Sequence, residues 1–490
     1  MQLLTLLEHC GQLLSIIDKN TSPSDRLTSE YLRSKKYIGS KDRRFISETV
    51  FCTLRNFIFV KEIWKDLEET NAVSIKDFNF RNIDGRAKIF ALYAVIQVVL
   101  VSEFPDEYPY ISIIPLLKKL DSSFVSISDS LLSGFASLDV NPETAFNFIN
   151  SIVSYAERIF HNDNNSKEYL MKRYSMPEEF LKQLSNANSD LPAVVNDNFR
   201  DFVKEFNKPA PICIRVNSFR TTREIVVKHL ETEGIECILG CLSPDCIIIP
   251  KRVQLTELES YKAGEFEIQD EASQLTAFAL NPNENDLILD ACAGAGGKSL
   301  HIANLQKNRG KIIASDVEFM RLKEINKRAE RAGINSIEIC MVKNDFSLMN
   351  INKKNTKPIP NLYDSVLIDA PCTGSGTIRR EPLKKYRINS KLVKKINNKQ
   401  YDILSKFSKY VKRGGTLVYS TCSIFPAENE NILEKFLADN KNFVPEPLKP
   451  NFEKYNINID NLSDNDFYLT CYPFLNKTDG FFISKLRRIE

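Results

Sequence analysis

The chain has 490 residues, too many for one ordinary hydrophobic core, so several domains are expected. Hydrophobic residues make up 43% and charged residues 26%, the balance of a globular protein rather than a disordered or fibrous one. A formal net charge of only +3 excludes a globally basic nucleic-acid binder, so any such surface must come from local clustering.

The start, Met1-Gln2-Leu3-Leu4, lacks the basic opening and long apolar stretch of a signal peptide. No uninterrupted run approaches the roughly 20 apolar residues that span a bilayer, and Ile89 to Val101 reads as a buried helix. The 11 cysteines are odd in number and irregularly spaced, which points to reduced thiols and a cytoplasmic protein. Cys237, Cys241 and Cys246 cluster, but with no CxxC pair and no adjacent histidine, so no metal site is expected.

Residues 1–150 show apolar positions at helical spacing, through Ile46, Val50 and Leu54 and again from Ile89 to Val98. The polar stretch Asn162 to Ser166 interrupts this pattern; a second helical stretch follows and ends near Leu191-Pro192, and 151–205 as a whole reads as a helical connecting segment. Residues 206–278 read as a small α+β domain, with strands at Ile212–Asn217 and Cys246–Pro250 around a helix at Thr222–Leu230. From 279 to 490 strand and helix patterns alternate, as in a doubly wound α/β domain. Its predicted strands are Leu287–Asp290, Lys311–Asp316, Ile337–Val342, Ser365–Asp369 and Thr416–Ser420, with Phe481–Leu486 closing the sheet. Helices are predicted at Glu318–Ala332 and Lys391–Lys412, and a surface loop at Asn352–Asn361.

The sharpest local signal is Asp290-Ala291-Cys292-Ala293-Gly294-Ala295-Gly296-Gly297-Lys298-Ser299, between an apolar strand and a helix. Such a turn can be purely structural, but its glycines also let backbone approach a nucleotide at a helix N-terminus. Asp316 ends the next strand, where a ribose-binding carboxylate belongs. Asp345 and Asp369 follow at or near the next two strand ends, so four acids would line one crevice. A P-loop needs a glycine five residues before Gly297; that position is Cys292, and the nucleotide-triphosphatase reading ranks second.

Two more segments bear on chemistry. Asp369-Ala370-Pro371-Cys372 follows one strand and Thr421-Cys422-Ser423 another, which places both cysteines at the same sheet edge. A single buried cysteine is a common core residue; two beside a proposed cofactor crevice argue for a reaction.

On these motifs the chain resembles the Sun/RsmB branch of the RNA cytosine-C5 methyltransferases. Asp-Ala-Pro-Cys372, Thr-Cys422-Ser and the Gly296-Gly297-Lys298 turn match in order. Thr478 to Phe482, Gly264 with Gln269 to Ser273, and Arg215-Val216-Asn217 also match, while Lys41 to Arg44 through Arg55 is similar to a NusB-like RNA-binding domain. The resemblance implies an all-α NusB-like domain, a small α+β domain and a Rossmann-like catalytic domain that uses S-adenosylmethionine. It implies Cys422 as nucleophile, Cys372 as the release cysteine and Asp369 as a contact to the base. For the cofactor it implies residues 292–298, Asp316, Arg321, Asp345 and Asp369. Ribosomal RNA of the small subunit is the implied partner, with no membrane and no metal, and a monomer is expected. The chain departs from the family at Ala295, where proline is usual, and at Glu381-Pro382-Leu383-Lys384-Lys385-Tyr386.

Basic residues crowd the stretch after the Pro-Cys motif, and Arg379, Arg380, Lys384 and Lys385 are expected to meet RNA phosphates. A charge run is more often a solvated helix face. The competing class of protein is a non-catalytic RNA-binding or assembly factor on the same fold; retention of both cysteines and Asp369 argues against it.

Overall fold

A computed structural model describes residues 1–490 apart from 71–73, 79, 81–82, 84, 109–125, 139, 163, 186–189, 252, 351–361 and 461. The loop expected at Asn352–Asn361 and one residue of the expected break, Asp163, lie outside the described residues. The chain folds into two units, one of residues 1–181, 194–209 and 378–387, the other of 182–193, 210–377 and 388–490.

Among its described residues the first unit is all helix, beginning with α1 (Leu3–Lys19), α2 (Ser24–Ser34), α3 (Ser40–Arg55), α4 (Phe57–Glu69) and α5 (Gly85–Glu103). Helix α5 is apolar on every side, and Phe90 to Val101 are all buried. By length and composition it would cross a bilayer, yet it is the central core helix, as a helix without a polar face should be. Gly11 permits a close crossing of α1 over α5: a Cβ there would lie 2.8 Å from that of Ala91.

The segment 378–387 packs within this helical unit and is gripped by three helix ends. The Ser24 amide at the start of α2 donates to Glu381 Oε2 at 3.0 Å. Arg387 Nη2 donates to Ile17 O in the last turn of α1 at 2.7 Å, and Lys385 Nζ to Arg55 O at the end of α3 at 2.8 Å. Acid at a helix N-terminus and base at a C-terminus is the arrangement that helix dipoles favour. Lys385 also reaches Asn207 Oδ1 at 3.0 Å and is only 2% exposed. Burial, with Arg55 nearby, drives its pKa well below the usual lysine range.

This corrects part of the expected RNA surface. Lys385 is enclosed by carbonyl acceptors, and buried Arg379 donates from Nη2 to Pro209 O at 3.3 Å, so neither side chain stands ready for phosphate. Arg380 is exposed and Lys384 half-buried.

The second unit carries two sheets. The smaller contains β1 (Ile212–Val216), β2 (Ile238–Leu239), β3 (Cys246–Ile249) and β4 (Phe266–Ile268), ordered β2-β3-β1-β4 and antiparallel. Ile214, Val216, Ile247 and Phe266 cover a helix at Arg223–Thr232 through Val226 and Leu230.

The larger sheet contains β5 (Leu287–Asp290), β6 (Lys311–Asp316), β7 (Ile337–Val342), β8 (Leu348–Asn350), β9 (Tyr363–Asp369), β10 (Val411–Thr421), β11 (Phe443–Pro445), β12 (Tyr468–Cys471) and β13 (Phe481–Arg488). Its order is β11-β13-β10-β9-β5-β6-β7-β8, with β12 also on β13. Strands β5, β6, β7, β9 and β10 are parallel. The chain winds outward from β5 through β7 and then crosses back to β9, so β5 and β9 form the switch point. In open α/β sheets, ligands bind at that point, beyond the strand C-termini.

Predicted and observed bounds coincide for β5, β6 and β7. Strand β13 does not close the sheet at an edge; it lies inside, antiparallel to both β10 and β11. The helix expected at Lys391–Lys412 stops at Phe407, and a short turn at Ser408–Tyr410 leads into β10. The chain then passes Gly414-Gly415 with a register shift between Val411 and Thr416, an irregularity that a helical pattern does not reveal.

Candidate active site

At the switch point, β5 ends in Asp290 and the glycine turn leads into a helix at Gly297–Leu305. Gly294 and Gly296 have φ of +53° and +82°, a region costly for residues with a Cβ. At Gly296 an added Cβ would also lie 2.9 Å from Ile325 Cγ1. Three side chains fix the turn from outside. Asp316 Oδ2 accepts from the Gly294 amide at 2.9 Å, Arg328 Nη1 donates to Ala295 O at 2.7 Å, and Arg215 Nη1 donates to Gly297 O at 2.7 Å. The turn therefore keeps its shape with alanine where the family pattern has proline.

A cavity of about 110 Å³ opens beside the turn, lined by Asp290, Cys292, Ala293, Gly297, Lys298 and Asp369, with Gln269 and Ser273 opposite. Asp290 is fully buried; its Oδ2 accepts from Ser299 Oγ at 2.6 Å, while Oδ1 has no protein partner. Burial, with the Asp369 and Asp316 carboxylates nearby, pushes its pKa up to about 7. Asp369 is held on both oxygens: Lys298 Nζ donates at 2.6 Å and Ser420 Oγ at 3.1 Å. Lys298 thus faces a carboxylate, and its ammonium also lies 5.1 Å from the Phe481 ring centroid.

The other expected cofactor residues divide. Asp316 is buried at the end of β6, with Oδ1 accepting from the Glu318 amide at 2.9 Å. The Arg321 guanidinium lies over the turn, 3.9 Å from where a Gly294 Cβ would stand, and 3.6 Å from the Glu318 carboxylate. Asp345 is exposed after β7, outside the cavity lining, and accepts from the Ser347 amide and hydroxyl at 3.0 and 2.7 Å.

Strands β9 and β10 are parallel neighbours with Asp369 opposite Ser420. Their continuations bring Cys372 and Cys422 together, Sγ to Sγ, at 3.2 Å, and both are half-buried. The Gly376 amide donates to Cys422 O at 3.0 Å, and the Gly480 amide to Gly376 O at 2.9 Å. Backbone meets backbone so closely here that a Cβ at Gly376 would collide with Gly480 O. Contact with Cys422 and burial push the Cys372 thiol well above its ordinary range, so it holds its proton at neutral pH.

Several contributors escaped the candidate set read from sequence. Gln269 and Ser273, which the sequence offers only as part of a matching motif, line the cavity. Asp290 reads from the sequence as one of four acids at the crevice, but not as a cofactor contact. Glu428, bonded to Thr373 in one cysteine loop and Ser423 in the other, and Gln400, bonded to Pro371 in the first, carry no local sequence signal.

Residues 277–487 match the family model for 16S rRNA methyltransferase RsmB/F, and residues 177–256 match the RsmF/B-like ferredoxin-like domain. The "Probable ribosomal RNA small subunit methyltransferase B" of Bacillus subtilis is 34% identical over 289 residues, covering 57% of this chain and 60% of the relative. The "26S rRNA (cytosine-C(5))-methyltransferase nsun-1" of Caenorhabditis elegans is 30% identical, covering 59% of this chain and 44% of the relative. A crystal structure of PH0851 shares the fold over 99% of both chains, with a TM-score of 0.67 and 24% identity. These matches show an RsmB/F-type methyltransferase domain over residues 277–487, which holds the glycine turn, the Pro-Cys372 loop and the Thr-Cys422 loop, and a ferredoxin-like domain of the same kind over residues 177–256.

Proposed function

We propose that this protein transfers a methyl group from S-adenosylmethionine to carbon 5 of a cytosine in RNA, and that its substrate is small-subunit ribosomal RNA. The observation that carries this reading is the pair of thiols 3.2 Å apart at the ends of β9 and β10, beside Asp369. The rRNA assignment rests on the family match and on the relatives' names.

The cavity fits the cofactor. Asp290 Oδ1, buried and unpartnered, suits an ammonium group, and Asp316 suits ribose hydroxyls. Residues 292–298 form the turn that lets backbone approach the ligand. S-adenosylmethionine, when bound, supplies an electrophilic methyl group.

Carbon 5 of cytosine is too weak a nucleophile unaided. The Cys422 sulfur adds to carbon 6, which moves electron density onto carbon 5. Asp369, steadied by Lys298 and Ser420, hydrogen-bonds the base edge and stabilises the charge that develops. After methyl transfer, water acting as base takes the carbon-5 proton, the 5,6 double bond re-forms and Cys422 leaves as thiolate; the Cys372 thiol, which keeps its proton, assists by hydrogen-bonding the departing sulfur. The target cytosine is single-stranded or flipped, because a recessed thiol does not reach carbon 6 within a stacked duplex.

Arg380 and Lys384 are the remaining candidates for phosphate contact, and we assign RNA binding also to the NusB-like helical domain (1–150) and to the small domain (206–278). The protein acts as a cytoplasmic monomer in this reading. Bisulfite sequencing of ribosomal RNA from cells lacking the protein tests it. A 5-methylcytosine should vanish and return with the wild-type chain but not with Cys422→Ala; an unchanged methylation map refutes the proposal.

A further inference from the structure

The loops bearing Cys372 and Cys422 share one buried carboxylate, that of Glu428, which is 0% exposed. Glu428 Oε1 accepts from the Thr373 amide at 2.9 Å and from Gln400 Nε2 at 3.1 Å. Its Oε2 accepts from Thr373 Oγ1 at 2.6 Å and from the Ser423 hydroxyl. Thr373 and Ser423 each immediately follow one of the cysteines. Gln400 Nε2 also donates to Pro371 O at 3.0 Å, so the Cys372 loop is held on both sides of the thiol.

Asn429 adds a second tie within the Cys422 loop. Its Nδ2 donates to Ser423 O at 2.9 Å, and its Oδ1 accepts from Thr421 Oγ1 at 2.7 Å. Four donors converging on one carboxylate suit the ionised, acceptor-only form. That state is costly to bury unless its hydrogen bonds are supplied, as they are here by neutral donors alone. A surface carboxylate would serve solubility. A buried one with no cation among these donors needs another reason to be there.

We propose that Glu428 is the positioning residue of the cysteine pair: its carboxylate ties the two loops together and sets the distance between the thiols. The inference rests on the two-cysteine reading above. Its charge has a further effect, since a carboxylate beside Cys372 disfavours a thiolate there and helps keep the proton on that sulfur.

The test is Glu428→Gln, nearly isosteric, with Glu428→Asp as the variant that keeps the charge on a shorter stem. Thiol spacing is read with phenylarsine oxide, which binds two neighbouring thiols in one step, forming two S–As bonds and releasing one water. The wild-type chain should bind one equivalent, and Cys372→Ala should abolish this. Glu428→Gln should weaken it by at least about tenfold, because chelation depends on the second thiol's effective concentration. Its kcat should fall by about 10²-fold, with the KM for S-adenosylmethionine and the thermal midpoint little changed. Glu428→Asp should recover part of both losses.

Wild-type arsenical affinity and kcat in Glu428→Gln would overturn the proposal. So would a parallel collapse of cofactor binding and thermal midpoint in both variants, which marks a general structural role. The arsenical reading does not depend on turnover. If the wild-type chain chelates arsenic but transfers no methyl group to RNA, the functional reading has failed and the positioning role still stands or falls on chelation.

Discussion

The Sγ atoms of Cys372 and Cys422 lie 3.2 Å apart although 50 residues separate them in the chain. In the proposed reaction Cys372, whose pKa is raised by contact with Cys422 and by burial, keeps its proton while Cys422 attacks, so the two thiols would act at different times. Cys372→Ala should still add to cytosine and release slowly, accumulating an RNA–protein species stable in denaturing gels. Cys422→Ala, alone or in the double mutant, should form no adduct and transfer no methyl group. An adduct trapped by Cys422→Ala instead would reverse the two roles.

Asp316, proposed to meet the ribose hydroxyls, already holds the Gly294 amide of the glycine turn. Asp316→Ala should weaken S-adenosylmethionine binding by about 1–3 kcal/mol through the loss of charge-assisted hydrogen bonds. Titration calorimetry checks this, and an unchanged Kd would remove Asp316 from the site.

Asp290 makes folding stability depend on pH. Its pKa is raised from 3.8 in the unfolded chain to about 7 in the folded one, so the folded state binds more protons between those values. This contribution therefore weakens stability as pH rises from about 4 to about 7, then levels off. The full effect is at most about 4 kcal/mol. Asp290→Asn should flatten the profile, gaining on the wild type at pH 8 relative to pH 5 in urea unfolding. A parallel pair of profiles would show that Asp290 titrates alike in both states.

Buried and exposed members of the basic run should behave differently. Lys385→Met takes one donor from Asn207 Oδ1 and one from Arg55 O, which keeps the Tyr386 hydroxyl at 3.2 Å, and should destabilise the fold by about 1–3 kcal/mol. Arg380→Gln with Lys384→Gln should lower the salt slope of RNA binding by about 0.7 for each phosphate no longer neutralised. An unaltered slope in that double variant would place the RNA path elsewhere.

Much of the catalytic unit is legible in the chain itself. Strands β5 and β6 keep their predicted bounds because central parallel strands are covered on both faces and read as nearly continuous apolar runs. The glycine turn and the two cysteine motifs are equally local, since a positive φ or a strand end is written in neighbouring residues. Tertiary structure alone decided that β9 and β10 lie side by side, which converts two distant cysteines into one pair, and that β13 inserts between β10 and β11. It also decided the fate of Lys385 and Glu428. A charged residue is solvated or buried according to what packs over it, and those partners, Arg55 and Asn207 for one and Thr373, Gln400 and Ser423 for the other, lie beyond any local pattern.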